Sequence, residues 1–265
     1  MFTGGCADRS PALVPCAGIG DKYFCIRCIA TSLFEQAYRI GEDNEASTRV
    51  EALMRVAIFG ASGATGTLLT ERCLAAGYEV TALVRTPERF AFRERVRVVE
   101  GTAFDAEVVR RTVEGADVVL SALGARSLGK EDVLERAVPL IVEAMREAGV
   151  RRIVALGSAG ALEDSLDKQP AWRRWLVQKI VYNTLLKWPV ASQVAQWKVL
   201  SGSGLDWTMV MPPMLTNGKG RGKFRVDGEA LPRGGMRIAR EDVADFMMRQ
   251  IEGKEWVGKG VYVAW

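Results

Sequence analysis

The sequence predicts an α/β domain with a doubly wound, mostly parallel sheet, and three observations carry that expectation. Short apolar runs recur from Met54 onward with helix-length segments between them. The first run, Arg55-Val-Ala-Ile-Phe59, leads directly into Gly60-Ala-Ser-Gly-Ala-Thr-Gly66, and a helix-compatible stretch follows from Thr67 to Ala76. A second run from Glu79 to Val84 completes a βαβ unit of the length that a parallel crossover requires. Strands joined by helices rather than hairpins place ligands outside the carboxyl ends of the strands.

The remaining elements follow the same pattern. Strands are predicted over 96–99, 117–121, 152–156 and 207–211, with helices filling the gaps. Asp105 suits the cap of a helix running to Glu114, because its carboxylate can accept from the free N–H groups of a first turn. Another helix is expected over 131–148, closing at Gly149, where a left-handed residue ends a helix without strain. No internal repeat or low-complexity tract interrupts the series.

Composition bounds the function class. With 48% hydrophobic and 26% charged side chains over 265 residues, the chain buries one full core. Disorder and a disulfide scaffold are both excluded as descriptions of the whole. The first 53 residues hold five basic and seven acidic groups, leaving 31 basic against 25 acidic in the remainder, a net +6. That mild excess suits an anionic cofactor. It is scattered rather than striped, so no nucleic-acid partner is expected. No apolar run reaches about 18 residues, so no membrane partner is expected and the chain reads as soluble and cytoplasmic.

Cysteine use divides the chain, with Cys6, Cys16, Cys25 and Cys28 in residues 1–53 and only Cys73 beyond. Cys25-x-x-Cys28 with Cys6 and Cys16 offers four thiolates for zinc, but a second close-spaced pair and any histidine are missing. A secretory leader would need a basic start and a longer apolar stretch. Residues 1–53 are therefore read as an extension that is poorly ordered or foreign to the domain, joined by the polar linker 41–47, with residues 54–265 as the domain itself.

The glycine turn carries the clearest chemistry. A pyrophosphate approaches a helix N-terminus only where the backbone is bare and its N–H groups point outward, the arrangement of a Rossmann-type dinucleotide fold. Gly60 would make the tight turn, Gly63 would admit the phosphates, and Gly66 would let helix and strand pack closely. Ser62 and Thr65 add hydroxyl donors. A glycine triplet alone is also a common structural turn, but here strand and helix flank it correctly. At the end of the second strand, where an acid would bind the ribose of NAD, stands Arg85, with Arg89 one helical turn on. Two guanidinium groups there would clamp a 2′-phosphate, so NADP(H) is the expected cofactor; the alternative makes them ordinary solvated charges.

Four segments, Gly60 to Gly66, Ser121-Ala-Leu-Gly124, Gly157-Ser-Ala159 and Ser203-Gly-Leu-Asp-Trp-Thr-Met-Val-Met-Pro-Pro213, resemble the atypical short-chain dehydrogenases and reductases of the NmrA-like group. Gly77-Tyr-Glu-Val-Thr-Ala-Leu-Val-Arg85, Lys198-Val-Leu200 and Val210-Met-Pro-Pro213 are most similar to its biliverdin and flavin reductase branch. The resemblance spans residues 54–262. It implies Gly60, Ser62, Gly63, Ala64, Thr65 and Gly66 around the pyrophosphate and Arg85 with Arg89 at the 2′-phosphate. It implies Leu123, Gly124 and Arg126 beside the cofactor after the fourth strand, Ser158 near the nicotinamide, and Pro212 with Pro213 in the pocket floor. Met214 departs from the branch, whose members carry a histidine after the two prolines and another near the position of Gln193.

Ketone-reducing members of the wider class place a tyrosine four residues before a lysine, so that the lysine lowers the phenol pKa. Tyr182 and Lys187 are five apart and do not match; Tyr182 reads as a packing residue. Hydride transfer to a conjugated acceptor needs no protein acid if water supplies the proton, which favours a flavin, quinone or similar planar small molecule over a ketone. Ser158 is then the candidate catalytic residue. Trp172, Trp175 and Met214 are the candidate acceptor-binding residues, because aromatic faces stack on flat rings and Arg173, Arg174, Lys179 and Lys187 lie among them. An amphipathic packing helix or a dimer surface explains the same segment. A regulator that senses NAD(P) without turnover is the alternative function, since the glycine turn binds cofactor in either case.

Overall fold

The computed structural model describes residues 53–125 and 127–265. Arg126 and the expected extension, with its four cysteines and apart from Leu53, lie outside the described residues. The chain first lays down β1 (Arg55–Phe59), α1 (Ala64–Ala75), β2 (Glu79–Val84), β3 (Arg97–Glu100), α2 (Ala106–Val113), β4 (Val118–Ser121), α3 (Val133–Glu147) and β5 (Arg152–Leu156). Next come α4 (Ala171–Leu176), which continues as a π-helix over Val177–Leu185, α5 (Lys187–Ser201) and β6 (Asp206–Met211). Three-residue strands β7 (Met214–Thr216), β8 (Arg225–Asp227) and β9 (Arg237–Ala239) precede α6 (Arg240–Arg249) and β10 (Lys259–Ala264).

Eight strands form one sheet in the order β3-β2-β1-β4-β5-β6-β10-β8, parallel except for β8, which runs antiparallel to β10. β7 and β9 make a separate parallel pair. The connections turn one way from β1 to β3 and the other way from β4 onward, so the order reverses between β1 and β4. In β1, Ala57 and Phe59 join the core on one face, with residues of α2, α3 and α5; Val56 and Ile58 join the core on the other, with α1 and α6. Both faces are covered, which is why the strands read as nearly continuous apolar runs.

Local chemistry explains the boundaries. Asp105 caps α2 as expected, accepting from the backbone N–H groups of Glu107 at 2.9 Å and Val108 at 3.3 Å. Gly149, at φ +71°, ends α3, and Val150 N–H reaches back to Met145 C=O at 2.8 Å. α1 starts at Ala64, three residues before the expected start, because Thr67 N–H already donates to Gly63 C=O at 2.8 Å. Between β2 and β3 only a short 3₁₀ turn, Pro87–Arg89, forms where a helix was expected. β10, inserted between β6 and β8, was missing from the predicted strands. Trp197 packs edge-to-face on Trp207 with ring centroids 5.0 Å apart, a core contact.

Candidate active site

The site begins at the reversal point. Gly60 has φ +77°, and a Cβ there would lie 2.8 Å from the carbonyl carbon and oxygen of Ala122, just beyond β4. The β1 turn thus rests directly on the β4 loop. Gly63 N–H donates to Gly60 C=O at 2.9 Å and closes the turn. At Gly66 a Cβ would meet Gly60 O at 2.0 Å, a distance no side chain tolerates. These contacts require glycine at Gly60 and Gly66 through backbone sterics alone.

The turn ends on the N-terminus of α1, whose cap is Gly63, a residue with no side chain to bond the first-turn N–H groups. Ser62, Gly63 and Ala64 are exposed there, while Thr65 and Gly66 are buried. A bare, positively polarised helix end beside exposed backbone fits an anionic pyrophosphate. Arg85 and Arg89 are exposed beyond β2, one just after the strand and one at the end of the 3₁₀ turn. Neither pairs with a carboxylate among the described residues, so both guanidinium groups are available to an anion. Across the reversal, Ala122 N–H donates to Phe59 C=O at 2.9 Å, and the Ser121 hydroxyl is buried without a partner. Leu123 and Gly124 follow, half-buried. These residues fit a dinucleotide: a bare helix end for its pyrophosphate, two free arginines for a ribose phosphate, and an apolar edge for its ring.

The other wall comes from β5 and β6. Gly157 N–H donates to Val210 C=O at 2.7 Å and Ala159 N–H to Pro212 C=O at 2.9 Å, so the strand ladder continues past both ends and holds Ser158 beside Pro212. Ser158 is half-buried and caps a 3₁₀ turn, Ala159–Ala161; its Oγ accepts from Gly160 N–H at 3.5 Å, a long and weak bond that leaves the hydroxyl free to serve a ligand. Pro212 is buried, Pro213 half-buried, and Met214 is 62% exposed at the rim. The Ser158 turn is covered by Val190 and by the Tyr182 ring, both in contact distance of a Cβ placed at Gly160. Burial pushes the Tyr182 phenol pKa up from its ordinary value. Trp172 and Trp175, by contrast, stand 64% and 61% exposed on α4.

Sequence reasoning missed the residues that position this wall. The Gln196 side chain is fully buried and its Nε2 donates to Leu156 C=O at 3.0 Å, pinning α5 under the end of β5. Ser192 Oγ donates to Glu135 Oε2 at 2.7 Å and ties α5 to α3. No local pattern marks either residue, since both partners are distant in sequence. Val190 had a signal in Gly160, whose lack of a side chain makes room for it.

A cavity of about 520 Å³ lies at the opposite end of β1 to β3, walled by Arg55, Tyr78, Glu79 and Arg97 among others. Two of its three arginines are matched by carboxylates, Arg55 with Asp117 at 2.9 Å and Arg97 with Glu114 at 3.8 Å. It shares no residue with the glycine turn. Among the described residues no cluster of metal-ligating side chains occurs, and no helix is long and apolar enough to cross a membrane.

Comparison with known proteins points to the same class of cofactor. The family described as NAD(P)H-binding matches residues 60–254. The reductase pytE of Aspergillus terreus is 24% identical over 266 residues, covering 79% of this chain and 97% of its own. A short-chain dehydrogenase/reductase of Veillonella parvula, solved in complex with NADP, has a TM-score of 0.67 at 20% identity, covering 80% of this chain and 94% of that one. The anaerobillin reductase ChuY of Escherichia coli O157:H7 has a TM-score of 0.67 at 21% identity, covering 80% and 97%. The two structures share the fold described above. The chain belongs to the NAD(P)H-binding family.

Proposed function

We propose that this protein is an NADPH-dependent reductase that passes hydride to a flavin, quinone or similar planar conjugated acceptor. The observation that carries the choice of NADPH is the pair of unmatched arginines, Arg85 and Arg89, beyond the end of β2. An acid at the place of Arg85 would repel a 2′-phosphate; a guanidinium attracts it and bonds it bidentately. The N-terminus of α1, with Ser62, Gly63 and Ala64, holds the pyrophosphate, and Leu123 and Gly124 border the rest of the dinucleotide. Bound NADPH supplies the hydride.

The chain's own groups then orient and shelter the acceptor. Ser158 donates a hydrogen bond to the carboxamide or to an acceptor oxygen, a role that its loosely held hydroxyl allows. Pro212 and Pro213 form an apolar floor, with Met214 at its edge. None of these groups is a strong acid, and the proton that completes the reduction comes from water, which suits a conjugated acceptor better than a ketone. The likeness to the reductase pytE of Aspergillus terreus supports a reductase.

Steady oxidation of NADPH on addition of flavin mononucleotide or menadione tests the reading. Turnover with either, faster than with NADH at equal concentration, is the expected result. Tight NADPH binding with no consumption in the presence of any planar acceptor would replace the reductase with a cofactor-sensing role.

A further inference from the structure

Among the described residues, large exposed apolar side chains are not scattered. Apart from Leu53, each follows β4, β5 or β6: Leu128 after β4, six residues from Trp172 to Trp188 after β5, and Met214 after β6. They therefore gather at the carboxyl ends of the strands, around the mouth of the nucleotide crevice. Over α4 and the π-helix that continues it, Val177 alone is buried. Trp172, Trp175, Leu176 and Ile180 recur at three- and four-residue spacing, so they share one face, and all are exposed. An apolar face of this extent on a helix that the core hardly holds marks a contact surface.

Charge identifies what it contacts. From Lys168 to Leu205 the sequence has six basic residues and no acidic one. Lys168 is matched by Asp227 and Glu229, and Arg174 by Asp167. Arg173, Lys179 and Lys187 have no carboxylate partner among the described residues, nor has Lys130 on the β4 loop. Lys130 and Lys187 lie 5.5 and 5.1 Å from the centre of the Trp188 ring, and Arg173 lies 5.3 Å from that of Trp172. Unmatched cations set among exposed indoles and aliphatics complement a surface that is anionic at its face and apolar just beneath. A second copy of this chain would bring like charges together, and a nucleic-acid backbone offers nothing to bury the leucines and isoleucine.

We propose that this face docks the protein on an anionic phospholipid surface, with the indoles in the headgroup layer and the free cations against lipid phosphates. Such attachment needs no spanning helix, only an apolar face with basic flanks. It gives Trp172 and Trp175 a lipid contact instead of a roof over the acceptor, in keeping with their exposure. The mouth of the crevice then faces the membrane, and an acceptor dissolved in lipid, such as a quinone, enters directly; this consequence rests on the reductase reading, whereas the docking does not.

Sedimentation of the full chain with vesicles tests it, using phosphatidylcholine alone and phosphatidylcholine with phosphatidylserine in equal parts. The protein should travel with the anionic vesicles only and be released by high salt. Lys179→Gln with Lys187→Gln should weaken that partition roughly thirtyfold, with NADPH affinity unchanged as the check on folding. Trp172→Ser with Trp175→Ser should abolish it even at low salt. Failure to bind anionic vesicles, or equal binding to neutral ones, would overturn the proposal. So would a lipid-free dimer that buries Trp172 and Trp175. Vesicle binding without any NADPH oxidation would leave the docking standing and remove the reductase reading.

Discussion

The two walls of the crevice are built by different physics. On the β1 and β4 side, shape is set by backbone against backbone: Gly60 against Ala122, Gly66 against Gly60, and a helix end capped by a residue without a side chain. On the β5 and β6 side, shape is set by side chains that arrive from far along the chain, Gln196 under Leu156 and Tyr182 with Val190 over Gly160. Backbone contact leaves no room for a side chain at Gly60 or Gly66. A side-chain wall can be rebuilt while the strands stay in place, whereas the glycine turn cannot.

The sharpest way to break this contrast is a single methyl group on each side of one loop pair. Gly66→Ala places a Cβ on the backbone of Gly60, which cannot yield, and should destabilise the fold by about 3 kcal/mol or more. At about 2–4 °C per kcal/mol for a domain of this size, the melting temperature falls by roughly 6–12 °C. NADPH binding goes with it. Gly124→Ala meets no atom within 4 Å and should cost no more than about 0.5 kcal/mol. Equal losses from the two, in thermal melts run side by side, would show that the turn is not the rigid half.

Arg85→Asp comes next in size. Removing a charge-assisted phosphate contact costs about 1.5–3 kcal/mol, so the NADPH dissociation constant should rise roughly ten- to a hundredfold or slightly more while that for NADH stays level or improves. Titration of both cofactors against both proteins gives the answer. Indistinguishable affinities in the unmodified protein would mean that Arg85 and Arg89 are solvated surface.

The same contrast explains what could be read in the sequence. Gly60, Gly63 and Gly66 are legible because a glycine requirement leaves its mark at fixed spacing beside a strand, and β1, β2, β4, β5 and β6 are legible because burial on both faces makes their sequences apolar throughout. β7, β8 and β9 are three residues each, too short for any period, and exist through their pairing. β10 is an apolar run buried from Gly260 onward, and its place comes from pairing with β6 and β8. Between β2 and β3 Pro87 opens only a single 3₁₀ turn, which closes where Phe90 N–H donates to Pro87 C=O at 3.0 Å. Gln196 and Ser192 leave no trace in the sequence, because a buried hydrogen bond to a partner dozens of residues away has no local pattern.

On the acceptor side effects should be smaller. Ser158→Ala removes one hydrogen bond worth about 0.5–1.5 kcal/mol, so kcat/KM with a good acceptor should fall roughly three- to tenfold, with NADPH affinity intact. A thousandfold loss would place Ser158 in a proton relay, and protonation by water would have to be given up.

Tyr182→Phe should have the least effect on turnover, and it tests the same mechanism from the opposite direction. The ring, which covers Gly160, is kept, and only the hydroxyl is lost. Burial raises the phenol pKa above its ordinary value of about 10, so the group stays protonated through the neutral range and adds no ionisation to the rate profile there. kcat/KM and its dependence on pH between about 6 and 9 should therefore match the unmodified protein, given a phenol titrating above about 10. Stability shows the residue instead. A group whose folded pKa is raised contributes stability that is complete below its unfolded pKa and is lost as pH rises through the folded one. The phenylalanine variant should accordingly lose less stability than the unmodified protein when thermal melts are carried into strongly alkaline buffer. If the variant instead loses activity steeply at neutral pH while its melting temperature holds, Tyr182 delivers the proton after all, and the acceptor wall is a catalytic surface rather than a binding one.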